Sequence, residues 1–220
     1  SLGTTADDPY LRLAIMYAID QGAVVVAASG NDGCNCITYP ANYPEVLAVG
    51  AISPTGSPAS FSIFGAQLDV LAPGQSLTAP TFNALNQTSA YASGSGTSFA
   101  TPFMSGLLGL ARQSQPTAEW EEIIGAMLEN SDRRTLTAAA PRSTTLGYGV
   151  VRADTMLNRL RTTNSEIQRY QFSGGNILGS KRAYQCQSVI AATPYYELTR
   201  SGSFAYTTDL RELSKAAASG

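Results

Sequence analysis

Ser98 lies in Gly96-Thr97-Ser98-Phe99-Ala100-Thr101-Pro102, where the small residues Ser93 to Gly96 give way to an apolar segment. Phe99, Phe103, Leu107 and Leu110 recur there at helical spacing, which predicts that Ser98 sits where a loop becomes a helix. The first turn of a helix carries unpaired N–H groups and the positive end of the macrodipole, and both favour negative charge developing beside a hydroxyl. A serine so placed can serve as a nucleophile, although a hydroxyl residue before a helix is more often a plain N-cap. Pro102 is tolerated within the first turn. Gly106 and Gly109 cost helix propensity and so predict close packing of this helix against a neighbour.

A second stretch could cooperate with it. Val24 to Ala28 is apolar and is followed by Ser29-Gly30-Asn31-Asp32-Gly33, which reads as a buried parallel strand with Asn31 just past its carboxyl end. Open α/β sheets hold their working residues at that end. Alone, Gly-Asn-Asp-Gly is a turn. Beside a nucleophile, a side-chain amide there can donate to an oxyanion.

At these residues the chain resembles the subtilisin-like serine proteases. The blocks are Val25–Gly33, Tyr39–Val46, Ala48–Ala51, Ala59–Ser62, Leu68–Gly74, Gly96–Pro102 and Gly147–Val151, in the family's order and spacing over residues 1–160. The resemblance implies an incomplete subtilisin-like α/β fold, a largely parallel sheet flanked by helices. It also implies a serine endopeptidase acting on peptide or protein substrates, outside the cell or at its surface. Ser98 matches the nucleophile, and Asn31 matches the oxyanion-hole amide that works with the Ser98 backbone N–H. Ser1, Leu2 and Gly3 match a strand that pairs with substrate, and Ala28, Ser29 and Gly30 match the opposite wall of the pocket for the residue before the cleaved bond. Thr97 joins this substrate-binding set. Thr38 falls where the family commonly has glycine at the pocket floor, so its side chain would shorten the pocket. No cofactor is implied beyond a calcium or sodium ion near Asp69, for which a surface or capping role is the simpler reading.

The departure from the family is the absence of histidine. A serine hydroxyl needs a general base, and the family uses histidine oriented by aspartate. In the family's order both precede the Ser-Leu-Gly strand, so the chain reads as the C-terminal part of a longer protein, inactive alone, with the missing N-terminal part supplying both. Two alternatives stand beside this: a non-catalytic binding protein on the same fold, or a lysine base. The lysines, Lys181 and Lys215, lie outside the matching stretch.

Composition agrees with a folded protein domain. The 220 residues are 44% apolar, and a net charge of −2 offers no electrostatic case for nucleic acid. No apolar run is long enough to span a bilayer. Residues 1–160 carry seven basic and twelve acidic side chains, whereas 161–220 carry seven and four, which marks a boundary between a peptidase portion and an extension. Aromatic and β-branched patches among Gly and Ser predict that the extension is a small β module, with Arg211 to Ala218 as a terminal helix.

The positioning elements follow in order. Asp7-Asp8-Pro9 opens an amphipathic helix that Gly22 stops. Glu45 to Ala51, Ala59 to Ser62 and Asp69 to Leu71 read as strands, residues 75–95 as a polar excursion, Thr117 as the cap of a helix through Leu128, and Ala153 to Leu160 as a last helix. Cys34 and Cys36 can bind a soft metal, pair with each other, or bridge elsewhere.

Overall fold

The computed structural model describes residues 1–83, 88–136, 140, 142–162, 196–200 and 203–207. Its centre is a parallel sheet of β1 (Val26–Ala28), β2 (Leu47–Ile52) and β3 (Val70–Pro73), in that order. Ala28 pairs with Val49, and Gly50 with Leu71. Alternation along β2 sends Leu47, Val49 and Ala51 into one apolar cluster and Ala48 into another, so the strand is apolar throughout because both faces are covered.

Helix α1 (Pro9–Asp20) covers one face with Ile15 and Ile19. Asp8 caps it, its Oδ1 accepting from the Tyr10 N–H at 2.9 Å, and Pro9 occupies the first helical position, where its missing N–H costs nothing. Behind the cap lies buried Tyr43, whose hydroxyl is 2.8 Å from Asp7 Oδ1; burial, then the Asp7 carboxylate, pushes that phenol's pKa up. Arg12 donates to Glu45 at 2.9 Å, and this hydrogen bond raises the guanidinium's pKa.

Helix α2 (Thr97–Ser114) covers the opposite face, with α3 (Trp120–Glu129) and α4 (Ala153–Thr162) packed against it. Its buried stripe is Thr97, Ala100, Thr101, Met104, Leu107, Leu108 and Ala111, which shares only Leu107 with the line Phe99, Phe103, Leu107, Leu110. Small residues allow close approach to the sheet, which leaves Phe103 41% and Leu110 54% exposed. Gly106 and Gly109 likewise have no neighbour within 4 Å of where a Cβ would stand, contrary to the expected close packing.

Pro102 lies beyond the first turn of α2, where it removes a helix hydrogen bond. Three further boundaries differ from the expected ones. Ala59 to Ser62 is a turn rather than a strand, because the Ala51 N–H is satisfied by Ser62 Oγ instead of a strand partner. Residues 75–95 contain an antiparallel hairpin, β4 (Leu77–Asn83) with β5 (Thr88–Gly94). Helix α3 starts after Glu119, whose N–H donates to the Glu122 carboxylate, and not at Thr117. In the extension, β6 (Tyr196–Arg200) pairs with β7 (Ser203–Thr207); Lys181, Cys186 and the proposed helix from Arg211 lie outside the described residues.

The revised face of α2 makes a direct prediction. Met104→Ala should cost about 2–5 kcal/mol of unfolding free energy in urea titration, as a buried cavity does, while Phe103→Ala should stay within roughly 0.5 kcal/mol.

Candidate active site

Strand β1 ends and helix α2 begins at the same place, and side chains tie the two together. Asn31 Oδ1 accepts from the Thr97 N–H at 2.8 Å and lies 3.0 Å from Thr97 Oγ1, which donates to it. Thr97 Oγ1 in turn accepts from the Gly30 N–H at 3.3 Å. With two donors on its oxygen, the Asn31 carboxamide has one orientation: Nδ2 is the free end and projects away from Thr97 as a donor. Thr97, expected in the substrate-binding set, is fully buried, and its hydroxyl serves Asn31 and Gly30.

Ser98 is the next residue, half-buried in the first turn of an 18-residue helix. Among the described residues no acceptor meets its backbone N–H. In an unbroken helix the residue at 102 would donate to the Ser98 carbonyl; proline cannot, and Ser1 Oγ donates there instead at 2.9 Å. The exchange is reciprocal, since Ser98 Oγ donates to the Ser1 carbonyl at 3.2 Å. A proline that breaks the helix ladder thus frees a carbonyl to hold the Ser1 segment beside the serine.

The remaining candidate residues gather around this pair. Gly3 lies against Thr38: a Cβ on Gly3 would meet Thr38 Oγ1 at 2.5 Å. Gly30 has a φ of +114°, and a Cβ there would meet Ile63 Cδ1 at 2.5 Å and Thr38 Cγ2 at 3.3 Å, so both backbone and space require glycine. Thr38 is anchored between them, its N–H and Oγ1 both donating to the Ser29 carbonyl at 3.1 and 3.2 Å. Ala28 and Ser29 are buried and support the wall from behind, while Ser1, Leu2 and Gly3 are exposed. Ile63 had no signature in the sequence. It reaches Gly30 because its N–H donates to the Gly30 carbonyl at 3.0 Å.

Two other expectations fall beside the cleft. Cys34 and Cys36 pair with each other in the loop between Asn31 and Thr38. Asp69 is buried, not on the surface, and its Oδ2 accepts from the Ala48 N–H at 2.8 Å, joining β3 to β2. Among the described residues no group of three or more His, Cys, Asp or Glu is arranged to hold a metal ion, and no helix is long and apolar enough to cross a membrane.

Over most of its length the chain is similar to known proteins. The model of the subtilase family matches residues 1–159. Subtilisin Savinase from Lederbergia lenta is 39% identical over 155 residues, covering 70% of this chain and 53% of the relative. The minor extracellular protease Epr from Bacillus subtilis is 39% identical over 153 residues, covering 69% of this chain and 22% of the relative. The solved structure of the self-cleaved protease domain of PatA superposes with a TM-score of 0.61 at 28% identity, covering 73% of this chain and 58% of that one. The chain spans about half the length of subtilisin Savinase and less of Epr.

The tie between Asn31 and Thr97 predicts an asymmetric response to substitution. Thr97→Val leaves the Gly30 N–H without its acceptor and should cost about 1–3 kcal/mol in denaturant unfolding, whereas Thr97→Ser, which keeps the hydroxyl, should recover most of it.

Proposed function

The chain belongs to the subtilase family, and from that premise we propose that the whole protein is a serine endopeptidase working through an acyl-enzyme on Ser98. The observation that carries this reading is the orientation of Asn31, whose oxygen is held by Thr97 so that its Nδ2 is left to donate on the side of Gly96 where the Ser98 N–H also lies, a Cβ there standing 3.5 Å from the one and 3.7 Å from the other. Ser98 Oγ attacks the substrate carbonyl carbon, forming a C–O bond while its proton passes to a general base. The resulting oxyanion accepts hydrogen bonds from Asn31 Nδ2 and the Ser98 backbone N–H. Collapse breaks the C–N bond as the base returns the proton to the leaving amine, and water then releases the acyl group by the same steps.

The base lies in polypeptide beyond these 220 residues. The sequence contains no histidine, and among the described residues the Ser98 hydroxyl donates only to the Ser1 carbonyl, which takes up no proton at neutral pH. Family resemblance assigns the base to a histidine held by an aspartate. The chain alone is accordingly inactive. The substrate backbone lies as an added strand between Ser1–Gly3 and Gly30. Thr38 and Ile63 fill the space behind those glycines, so the pocket for the residue before the cleaved bond takes small side chains. An extracellular setting is supported by the Epr relative, an extracellular protease by name.

A fluorophosphonate should label Ser98 in the full-length protein and fail with Ser98→Ala; absence of labelling would favour a non-catalytic binding protein on the same fold. The 220-residue chain should show no turnover. Asn31→Ala should lower kcat about 10²–10³-fold, a size established on subtilisin itself for its hole donor rather than obtained from this geometry. Thr38→Gly should raise kcat/KM for large residues before the cleaved bond by about 10-fold or more, with little change for alanine, in a series of peptide substrates.

A further inference from the structure

Between Asp69 and Arg112 the sequence has no Asp, Glu, Lys or Arg. The β4–β5 hairpin is the part of this stretch that projects into solvent, with residues 80–82 and 89–93 all exposed. Exposed strand pairs are ordinarily protected by charged side chains, and here there are none. The pairing of Pro80 with Tyr91 and of Phe82 with Ser89, together with strand alternation, puts Pro80, Phe82 and Tyr91 on one face. Phe82 is 62% and Tyr91 76% exposed, and the three side chains help to line a recess of about 410 Å³.

The base of this hairpin is fixed to the candidate active site. A Cβ on Gly94 would collide with the Phe99 ring, the Gly96 N–H donates to the Gly74 carbonyl at 2.7 Å, and the Ser76 N–H donates to Ser95 Oγ at 2.9 Å. Strand β5 runs from the aromatic face directly to the residues that precede Ser98.

We propose that this face binds the polypeptide substrate on the leaving side of the cleaved bond, taking an extended, uncharged segment that carries proline or aromatic side chains. The inference rests on the reading of Ser98 as nucleophile. Continuity selects the occupant: Tyr91 is joined to Ser98 by so few residues that the two lie within about 25 Å, so an extended product of roughly seven residues reaches it. Ser1–Gly3 and Gly30 occupy the acyl side in the same reading, which leaves the hairpin to the departing chain. Strand edges supply backbone hydrogen bonds to an extended peptide, and the recess supplies the side-chain selection. A charged side chain pressed against this surface would lose water and gain no counter-ion.

The test uses the full-length protein carrying Ser98→Ala and a fluorescent decapeptide of Gly, Ser and Thr with Pro and Phe two positions apart. Fluorescence anisotropy should show saturable binding, weakened at least tenfold by Phe82→Ser with Tyr91→Ser and retained with Phe82→Tyr and Tyr91→Phe. Replacing the peptide's Phe by Glu should weaken it similarly. Absence of binding, equal affinity for the Ser double variant, or equal affinity for the Glu peptide would overturn the proposal. So would a dimer in sedimentation that the Ser double variant dissociates, since the face would then belong to a second copy. Fluorophosphonate labelling of the full-length protein reports separately on Ser98, so a failure of the nucleophile reading is distinguishable from a failure of the docking face.

Discussion

The contact between Asn31 Oδ1 and the Thr97 N–H is the constraint on which the site depends. It joins the end of a strand to the start of a helix that are far apart in sequence, and it acts on both partners at once. For Asn31 it fixes which end of the carboxamide is available. For α2 it satisfies one of the N–H groups that every helix start leaves open, so the Ser98 N–H becomes the next unsatisfied donor. A capping interaction, a common structural device, here also sets the direction of a hydrogen-bond donor. Thr97 completes the tie because its hydroxyl can accept from Gly30 and donate to Asn31 together.

The parallel sheet makes that contact possible. Strands β1, β2 and β3 all run the same way, so their carboxyl ends gather on one side, and loops leaving that side meet. The loop after β1 carries Asn31 and then Thr38, and the segment after β3 leads through the hairpin to Ser98. Burial on both faces leaves the sheet little freedom to shift, since Leu47, Val49 and Ala48 are almost fully enclosed between helices. The rigid core supports a small cluster of polar groups at its rim.

Much of this was legible in the sequence where one residue type has one physical use. The Asp8-Pro9 helix start, the apolar strand before Asn31 and the small residues before Ser98 each announce an element regardless of what surrounds it. The buried face of α2 was less legible because four of its seven residues are Ala or Thr, whose contribution is closeness rather than size. The β4–β5 hairpin was misread because Gly, Ser, Thr and Asn look like loop residues when a strand pair has no buried face to impose alternation. Ile63 could not be found from sequence at all, because its role depends on a backbone hydrogen bond to Gly30 that only the folded chain creates.

The absence of histidine is compatible with the proposed oxyanion hole because the two features draw on different parts of a fold. The two proposed donors come from a strand end and a helix start that one threonine ties together, all encoded within this sequence. A general base needs only to approach the hydroxyl from outside, and it contributes nothing to the packing that orients Asn31. In serine hydrolases the hole and substrate binding alone retain about 10³–10⁴-fold acceleration over water when a triad member is lost, a small part of the full effect. In the proposed reading, preorganised donors therefore precede proton transfer in the logic of the fold: they depend on this chain's own packing, and the base would convert that arrangement into a working site.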